Sequence, residues 1–321
     1  MDASLKLPDG ETLIISKMNN RAPVALFAYN RLRHFTETVQ ALAANDLSSE
    51  TDLYIFCDGP KGGAVDESVT AVRLYARSLR CFRSVSIVER EENLGLAKSI
   101  IAGVTQVCAE RGRVIVVEDD IVTSPYFLKY MNDALDLYQD NHEVVSVHGY
   151  VYPLKLSVEE TFLMKGADCW GWATWERGWR EFNPDGGDLL RELKARGLSD
   201  EFDFGGRAKY TRMLEDQIAG KNDSWAIRWH ASAFLKGKLT LYPGTSLVRN
   251  IGFDGSGQHC GVSDRYESPL SVGPITVCRL EAHESPRGRV AFELYFESLR
   301  KTGRVNKFFK WIRKVLRVSK H

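Results

Sequence analysis

The chain has 321 residues, 44% of them hydrophobic and 26% charged, which is the composition of an ordinary globular protein. Residues 1–300 carry 35 basic and 42 acidic side chains, a net charge of −7, whereas residues 301–321 add eight basic side chains and no acid. A negative body argues against nucleic-acid binding, and no apolar run approaches the roughly 20 residues that a membrane-spanning helix needs.

From residue 22 onwards, short apolar runs alternate with segments of helical periodicity. We expect strands over 24–29, 52–58, 84–90 and 113–119, and helices over 34–45, 67–79 and 96–110. Strands separated by helices of this length form βαβ units, so the sequence predicts an α/β fold with a mostly parallel, Rossmann-like sheet flanked by helices. In such sheets, ligands bind beyond the carboxyl ends of the strands.

The pattern changes after residue 150, where four tryptophans fall within the segment 167–182. Trp172, Trp175 and Trp179 follow the i, i+3, i+7 spacing of a core-facing helix. No linker rich in Pro, Ser or Gly interrupts the chain, so we expect one domain with two lobes. The predicted organisation is an arm over 1–21, a first half over 22–150, a second half of helices and irregular structure over 151–265, an extension over 266–300 and a helix over 301–321.

Polar side chains follow each predicted strand, and the fourth strand runs directly into Glu118, Asp119 and Asp120. Adjacent carboxylates repel one another and are costly to desolvate, so a bound cation is the simplest compensation. Carboxylate oxygens suit Mg²⁺ or Mn²⁺, which complete their shells with water and phosphate oxygens. We therefore expect a nucleotide or sugar-nucleotide site at this edge. The plainer alternative is that these loops are simply polar and that the acids favour the start of the next helix.

Two common nucleotide motifs are missing from the sequence. It contains no GxxxxGK[ST], which argues against a P-loop NTPase, and no GxGxxG after the first predicted strand, which removes the dinucleotide-binding fingerprint. The six cysteines include no CxxC pair, so neither a zinc site nor a disulfide framework is indicated and reduced, cytoplasmic thiols are expected.

An ordered set of motifs resembles a known family. FAYNR, CDGP, ENLGLAKSI and VVEDD, each after a predicted strand, resemble nucleotide-sugar transferases of the GT-A fold. GWATWERGW, NDSW and SLVRNIGFDGSG resemble the acceptor side of the N-acetylglucosaminyltransferase I type, and the set is also similar to bacterial sugar transferases of surface-polysaccharide clusters. The resemblance covers residues 22–262. It implies a metal-dependent, inverting hexosyl- or N-acetylhexosaminyltransferase that uses a nucleotide sugar, with UDP the expected nucleotide, and a glycan or lipid-linked glycan acceptor.

The resemblance also implies roles for particular residues. It places the metal, Mn²⁺ or Mg²⁺, on Asp120, and the catalytic base on Asp223 or, as a competitor, Asp216. His259, in the glycine-rich segment GSGQHC, is a second candidate for contact with the metal or the diphosphate, and a purely structural histidine is the alternative. The candidate donor-binding residues are Ala28, Tyr29, Asn30, Arg31, Asp58, Asn93, Lys98, Glu118 and Asp119. The candidate acceptor-binding residues are Trp170, Trp172 and Trp225. Structural alternatives stay open: Asp58 could close an ordinary Asp-Gly turn, Lys98 could be an exposed lysine, and the tryptophans could belong to the core.

The tail VNKFFKWIRKVLRVSKH has a separate pattern. Val305, Phe308, Phe309, Ile312 and Leu316 fall on one helical face, bordered by Lys and Arg. Such a stripe is typical of a helix lying on an anionic membrane surface, and the alternative is docking onto the acidic body or a partner. Since the N-terminal residues contain no signal-peptide-like apolar run, we expect a cytoplasmic protein that is peripheral on the inner face of the cell membrane.

Two other functions stay open. A nucleotidyltransferase that makes sugar nucleotides usually has a glycine-rich, Arg/Lys-bearing loop after the first strand, which FAYNRLRHF lacks. A non-catalytic glycan-binding module would not need the EDD sequence or the acids near Trp225.

Overall fold

The computed structural model describes residues 3–6, 12–15, 21–63, 65–255 and 265–301. The strands are β1 Ala3–Lys6, β2 Thr12–Ile15, β3 Val24–Ala28, β4 Asp52–Cys57, β5 Ser84–Glu89, β6 Arg113–Glu118, β7 Ile121–Thr123, β8 Val144–His148, β9 Thr161–Lys165, β10 Trp172–Trp175, β11 Leu239–Pro243 and β12 Val248–Asn250. The helices are α1 Leu32–Ala43, α2 Glu67–Ser78, α3 Leu96–Arg111, α4 Phe127–Leu137, α5 Glu176–Trp179, α6 Gly186–Ala195, α7 Ser199–Phe202, α8 Tyr210–Ile218, α9 Trp225–Leu235 and α10 over 286–301. His259 and residues 302–321, which include almost all of the predicted C-terminal helix, lie outside the described residues.

Eight strands form the central sheet, in the order β5-β4-β3-β6-β10-β8-β11-β9. Four of its pairings are parallel and join β5, β4, β3 and β6 in one block and β8 with β11 in another. Strand β10 is antiparallel to both β6 and β8, and β9 is antiparallel to β11. The predicted α/β class, with a central sheet flanked by helices, is confirmed.

Strand β3 shows why this sheet is covered on both faces. All five of its residues are buried apolar residues, as expected for a central parallel strand. Val24 and Leu26 pack in the core that contains Phe35 of α1, whereas Ala25 and Phe27 pack in the core on the α3 side. The alternation follows from the two-residue period of a strand. The helices therefore lie on both faces and leave the strand ends open.

The second half of the chain contains helices α5 to α9, as predicted, but it also adds β9, β10 and β11 to the same sheet. The helix predicted from the tryptophan spacing is wrong over Trp172–Trp175, which form β10 between β6 and β8. Backbone pairing on both sides outweighs the helical spacing here. Within the described residues, no helix combines the length and apolarity needed to cross a membrane.

Candidate functional site

The carboxyl ends of β3, β4, β5 and β6 meet at one edge of the sheet because these four strands are parallel neighbours. Antiparallel strand β10 begins at the same edge, with Trp172 opposite Val116 and also opposite His148. The segment 166–171, which leads into β10, therefore comes beside the acids that follow β6. This edge brings together residues from both halves of the chain, and we call it the carboxyl edge.

Arg31 joins the acids at the centre of the carboxyl edge. It directly precedes α1, and its Nη2 atom lies 2.8 Å from Asp120 Oδ2 and also contacts Asp119 Oδ1. Asp119 and Asp120 are only 5% and 8% exposed. Arg31 thus pairs with two of the three adjacent carboxylates, and no other ion pair to them is found in the described part of the chain. The cluster therefore keeps an excess of negative charge when all three are ionised.

The pKa values in this cluster reflect that imbalance. Burial raises the pKa of Glu118 well above its ordinary value, and the charges of Asp120 and Asp119 raise it further. Burial and the charge of Asp120 raise the pKa of Asp119 to about 6, and Arg31 offsets only part of this shift. Ionising Glu118 and Asp119 in the folded protein therefore costs stability.

Asp120 fits one of the needs of a divalent cation. Its Oδ1 atom is buried and has no hydrogen-bond partner among the described residues. A cation bound to this oxygen would satisfy it, and Mg²⁺ or Mn²⁺ can use one or two carboxylates when a diphosphate and water supply the other ligands. In the described part of the chain, no group of three or more His, Cys, Asp and Glu side chains is arranged to hold a metal. The unpartnered Oδ1 of Asp120 fits a cation whose other ligands come from a bound molecule, and His259 lies outside the described residues.

The loop after β12 closes against the same acid. The Ile251 N–H donates to the backbone carbonyl of Asp120 at 2.8 Å. A Cβ atom on Gly252 would lie 2.3 Å from Asp120 Oδ2, so only glycine allows this approach. Close packing against Asp120 thus explains the first glycine of the motif NIGFDGSG, which is Gly252. The loop that carries it forms one wall beside Asp120.

Asp58 has a structural task that the sequence did not reveal. Its carboxylate accepts hydrogen bonds from the N–H groups of Gly59, Leu94 and Gly95 at 3.0, 2.9 and 3.0 Å. Asn93 adds a bond from its side-chain amide to the Gly59 carbonyl at 2.8 Å. Since a carboxylate has about four acceptor positions, most of the capacity of Asp58 is spent on holding the loop before α3. Its predicted contact with a nucleotide base could use only the remaining capacity.

The other predicted donor-binding residues differ in their exposure. Ala28 is buried, and its carbonyl accepts the Asp58 N–H at 2.9 Å, so it shapes the edge through its backbone. Tyr29 and Asn30 are half-buried. Lys98 is exposed near the start of α3 and forms no ion pair with the rest of the described chain. Of these four, Tyr29, Asn30 and Lys98 keep side-chain surface for a ligand.

The two candidates for a catalytic base have different surroundings. Asp216 on α8 lies 3.1 Å from an Arg212 nitrogen and 3.3 Å from Lys221 Nζ. Although desolvation raises the pKa of Asp216, Lys221 and Arg212 outweigh it and leave the pKa lowered. Asp223 precedes α9, its side chain is 64% exposed, and the nearest cation is Arg228, with Nη2 at 3.7 Å. Asp223 is therefore the freer carboxylate.

The helix that follows Asp223 ties this residue to the carboxyl edge. Trp225, the first residue of α9, stacks on Trp172 with ring centroids 5.4 Å apart. Because Trp172 begins β10 at the carboxyl edge, the start of α9 lies at the same end of the sheet. The structure brings Asp223 to this end of the molecule.

The three predicted acceptor-binding tryptophans differ in burial: two belong to the core and one lies at the edge. Trp172 is fully buried and Trp225 is 3% exposed, and both belong to a cluster with Trp179 and Trp229. Neither ring offers a face that an acceptor could reach, so these two positions serve the core. Trp170 is half-buried at the edge and is the one of the three that keeps surface for a ligand.

Sequence reasoning missed Asp168, two residues before Trp170. Asp168 is half-buried, and its Oδ2 atom lies 3.4 Å from the Tyr152 hydroxyl and 3.5 Å from the Tyr242 hydroxyl. A single acid within GADCWGW carries no motif. Only the pairing of β10 with β6 brings its segment to the edge at which Asp120 lies, although an acid inside an aromatic-rich segment is a signal that could have drawn notice.

Comparisons with known proteins are limited to partial structural likeness. No protein-family model matches the sequence, and no curated protein matches it. A mannosyltransferase from Pyrobaculum calidifontis in complex with GDP-Man and Mn²⁺ is similar over 42% of this chain and 37% of that chain, at 16% identity and a TM-score of 0.31. TarS from S. aureus is similar over 44% of this chain and 24% of that chain, at 21% identity and a TM-score of 0.31. Less than two fifths of either protein is covered, and scores this low say nothing about function.

Replacing Glu118 by Gln should stabilise the metal-free protein. Because the pKa of Glu118 is raised, its ionised form destabilises the folded state. At pH 8, the free energy of unfolding of the variant should therefore be about 1 kcal/mol higher than that of the wild type. The gain should shrink as the pH falls towards 5, because the folded wild type then takes up a proton at Glu118. Urea unfolding in the presence of EDTA at both pH values measures the difference.

The matched control for this prediction is Glu37→Gln. Glu37 forms an exposed i,i+4 pair with Arg33, so its substitution should change the free energy of unfolding by less than about 0.5 kcal/mol. A Glu118→Gln variant that is less stable than the wild type at pH 8 would show that the Glu118 carboxylate is compensated in the folded protein.

Proposed function

We propose that this chain is a metal-dependent glycosyltransferase of the GT-A fold that transfers a sugar, with inversion, from a nucleotide donor to a glycan or lipid-linked glycan acceptor. UDP is the expected nucleotide, and bacterial surface polysaccharide is the expected product class. The observation that carries the proposal is the acid cluster at the carboxyl edge, where Asp120 Oδ1 is buried and has no hydrogen-bond partner among the residues that the structure describes. A protein gains nothing in stability from such an oxygen, whereas a cation–diphosphate ligand would satisfy it.

The nucleoside would lie over the loops that follow β3 and β4. Tyr29 and Asn30 keep side-chain surface there, and Asp58 holds the neighbouring loop in place through three backbone hydrogen bonds. Helix α3 begins without a side-chain cap, so its first N–H groups and Lys98 could bind phosphate oxygens. The donor would thus be held mainly by backbone groups and by residues of the first half of the chain.

Asp120, with Asp119 and Glu118 beside it, would hold the divalent cation against the diphosphate. When bound, the cation would stabilise the negative charge that develops on the departing nucleotide. Arg31 keeps Asp119 and Asp120 in place through its shared contact and partly offsets their charge before the ligand arrives. The acids would then be fixed in position before binding.

The acceptor hydroxyl needs a base that takes its proton as the new glycosidic bond forms. We assign this role to Asp223 rather than Asp216. Asp216 is engaged by Arg212 and Lys221, which weakens it as a base, whereas Asp223 is exposed next to the start of α9. The proton would pass from the acceptor oxygen to the Asp223 carboxylate.

A donor panel tests the proposed function. We expect the protein to bind one of the common UDP-, GDP-, CMP- or dTDP-sugars in the presence of Mn²⁺ and to hydrolyse it slowly. Asp120→Asn should weaken binding by about tenfold or more, because one metal–carboxylate bond is lost. Isothermal titration and nucleotide release measure the two effects.

The control for the panel is Asp133→Asn, which removes an exposed acid paired with Lys129 on α4. This variant should bind the selected donor as the wild type does. If no nucleotide sugar binds with or without metal, the proposed function is wrong. If Asp120→Asn binds the donor as tightly as the wild type, the cation does not sit where we propose.

The assignment of the base has its own test. Asp223→Asn should keep the donor affinity and lower the transfer rate by about 100-fold or more, because the acceptor hydroxyl loses its proton acceptor. Asp216→Asn should keep most of the rate, since that carboxylate is already engaged by two cations. Rates with the acceptor present and absent separate transfer from hydrolysis, and a large rate loss in Asp216→Asn alone would reverse the assignment.

The basic tail generates a further prediction from the sequence. Residues 302–321 should attach the enzyme to anionic membrane surfaces, where a lipid-linked acceptor would be found. Removing them should abolish sedimentation with phosphatidylserine-containing vesicles, and Lys310→Gln with Arg313→Gln and Lys314→Gln should weaken it by about tenfold or more. Vesicles of phosphatidylcholine alone serve as the control, and equal binding of both vesicle types would contradict an electrostatic role.

A further inference from the structure

The segment that carries Asp168 is fixed at the carboxyl edge by two buried histidines. The Trp170 N–H donates to His148 Nε2 at 3.1 Å, and His230 Nδ1 lies 2.7 Å from the Ala167 carbonyl oxygen. Burial lowers the pKa of both histidines, so both rings stay neutral near pH 7. The backbone on both sides of Asp168 is therefore held in one conformation.

The carboxylate of Asp168 is held by hydrogen bonds, two of which are long. Oδ1 accepts the Cys169 N–H at 2.9 Å, whereas Oδ2 accepts the Tyr152 and Tyr242 hydroxyls at 3.4 and 3.5 Å, well beyond the usual O–H···O distance. No ion pair joins it to a cation in the part of the chain that the structure describes, in contrast to Asp119 and Asp120. Because its two hydroxyl contacts are long, a half-buried carboxylate without a paired cation can exchange them for shorter bonds from a ligand rich in hydroxyl groups.

Aromatic rings stand beside this carboxylate. Trp170 packs edge-on against Tyr150, Phe253 and Tyr266, with ring centroids 4.8, 5.5 and 5.6 Å apart. Trp170 and Tyr266 are half-buried and so present some surface at the edge. Flat apolar rings next to a few polar acceptors are the lining that a sugar ring needs, since its C–H faces are apolar and its hydroxyls donate.

Asp168 and the acids that would hold the metal–diphosphate belong to the same edge of the sheet. Strand β10 places Trp172 opposite Val116, so the residues before it continue beside Glu118 and the two aspartates. Between the two groups, the Cys169 thiol has a pKa raised by burial, by Asp168, and by Glu118 and Asp120. Asp168 is thus a fourth carboxylate of the same edge, on the β10 side of the cluster, whereas Arg31 reaches the cluster from α1.

We propose that Asp168 binds hydroxyl groups of the donor's sugar ring and so helps to determine which sugar is accepted. The inference rests on the proposed function, because it places the diphosphate at Asp120 and the sugar beyond it, between the acids and Trp170. Asp168 accepts hydrogen bonds from the sugar, while Asp223 takes the proton of the acceptor hydroxyl. It is a specificity-determining residue rather than the base.

The test compares a nucleotide sugar with the nucleotide that it contains. Isothermal titration with Mn²⁺ gives the affinities of the wild type and of Asp168→Asn for the selected nucleotide sugar and for the matching nucleoside diphosphate. We expect Asp168→Asn to weaken binding of the nucleotide sugar by about tenfold or more, because hydrogen bonds from the sugar to a charged group are lost. The affinity for the nucleoside diphosphate should not change. Asp120→Asn should weaken both ligands, and Asp133→Asn should weaken neither.

The outcomes separate this inference from the proposed function. If the wild type binds neither ligand, the proposed function fails and this inference fails with it. If the wild type binds both, and Asp168→Asn weakens both equally or neither, Asp168 does not contact the sugar. A variant with unchanged donor affinity but a raised acceptor KM would assign Asp168 to the acceptor instead, and one with a lower kcat alone would make it part of the proton transfer.

A second variant guards against a folding defect. Asp168→Glu keeps the charge but moves it by one methylene, so it should change the preference among UDP-glucose, UDP-N-acetylglucosamine and GDP-mannose while keeping the affinity for the nucleoside diphosphate. A structural role alone would lower the melting temperature of both variants and weaken all ligands in parallel, and that result would overturn the proposal.

Discussion

The shared contact of Arg31 with Asp119 and Asp120 is the constraint on which the carboxyl edge depends. It ties the start of α1 to the end of β6 and holds two carboxylates next to a third, Glu118. One guanidinium cannot balance three buried or half-buried acids, so the edge is built with a deficit of positive charge. Removing that deficit would stabilise the protein, and a ligand that brings a divalent cation would remove it only in the bound state.

The opposite end of the same sheet shows what a fully compensated acid looks like. Asp52, the first residue of β4, accepts hydrogen bonds from Arg83 at 2.7 and 2.6 Å, from Ser84 at 2.7 Å and from Arg111 at 2.6 Å. The bonds from Arg83 are the largest cause of its lowered pKa. Asp52 is 6% exposed, similar to Asp119 and Asp120. Asp52 and Asp119 are almost equally exposed, but the pKa of Asp52 is lowered and that of Asp119 is raised. The contrast separates an acid that stabilises the fold from one kept for a ligand.

The sequence predicted the first half of the fold because each of its strands is a local pattern. Val24–Ala28 and Arg113–Glu118 are apolar runs long enough to be seen alone, and parallel pairing then brings their carboxyl ends together. The second half was harder to predict. Thr161–Lys165 and Trp172–Trp175 are short, and their strand state depends on partners far away in the chain. The i, i+3, i+7 tryptophan spacing pointed to a helix, and backbone pairing with β6 and β8 overrode it.

The same distinction applies to the residues of the site. Glu118, Asp119 and Asp120 are adjacent in the chain, so a local pattern revealed them, whereas Asp168 joins them through antiparallel pairing over a separation of 48 residues from Asp120. Two structural roles could not be read from the motifs. Asp58 accepts three backbone hydrogen bonds from neighbouring loop residues, and Gly252 allows its backbone to pack closely against Asp120. A motif indicates where a functional site lies, but it does not show which of its side chains already have hydrogen-bond or ion-pair partners. The partners of each carboxylate and their distances do show it. Within the described residues, Asp120 Oδ1 has no hydrogen-bond partner, and Asp168 Oδ2 has two long hydroxyl contacts and no ion pair.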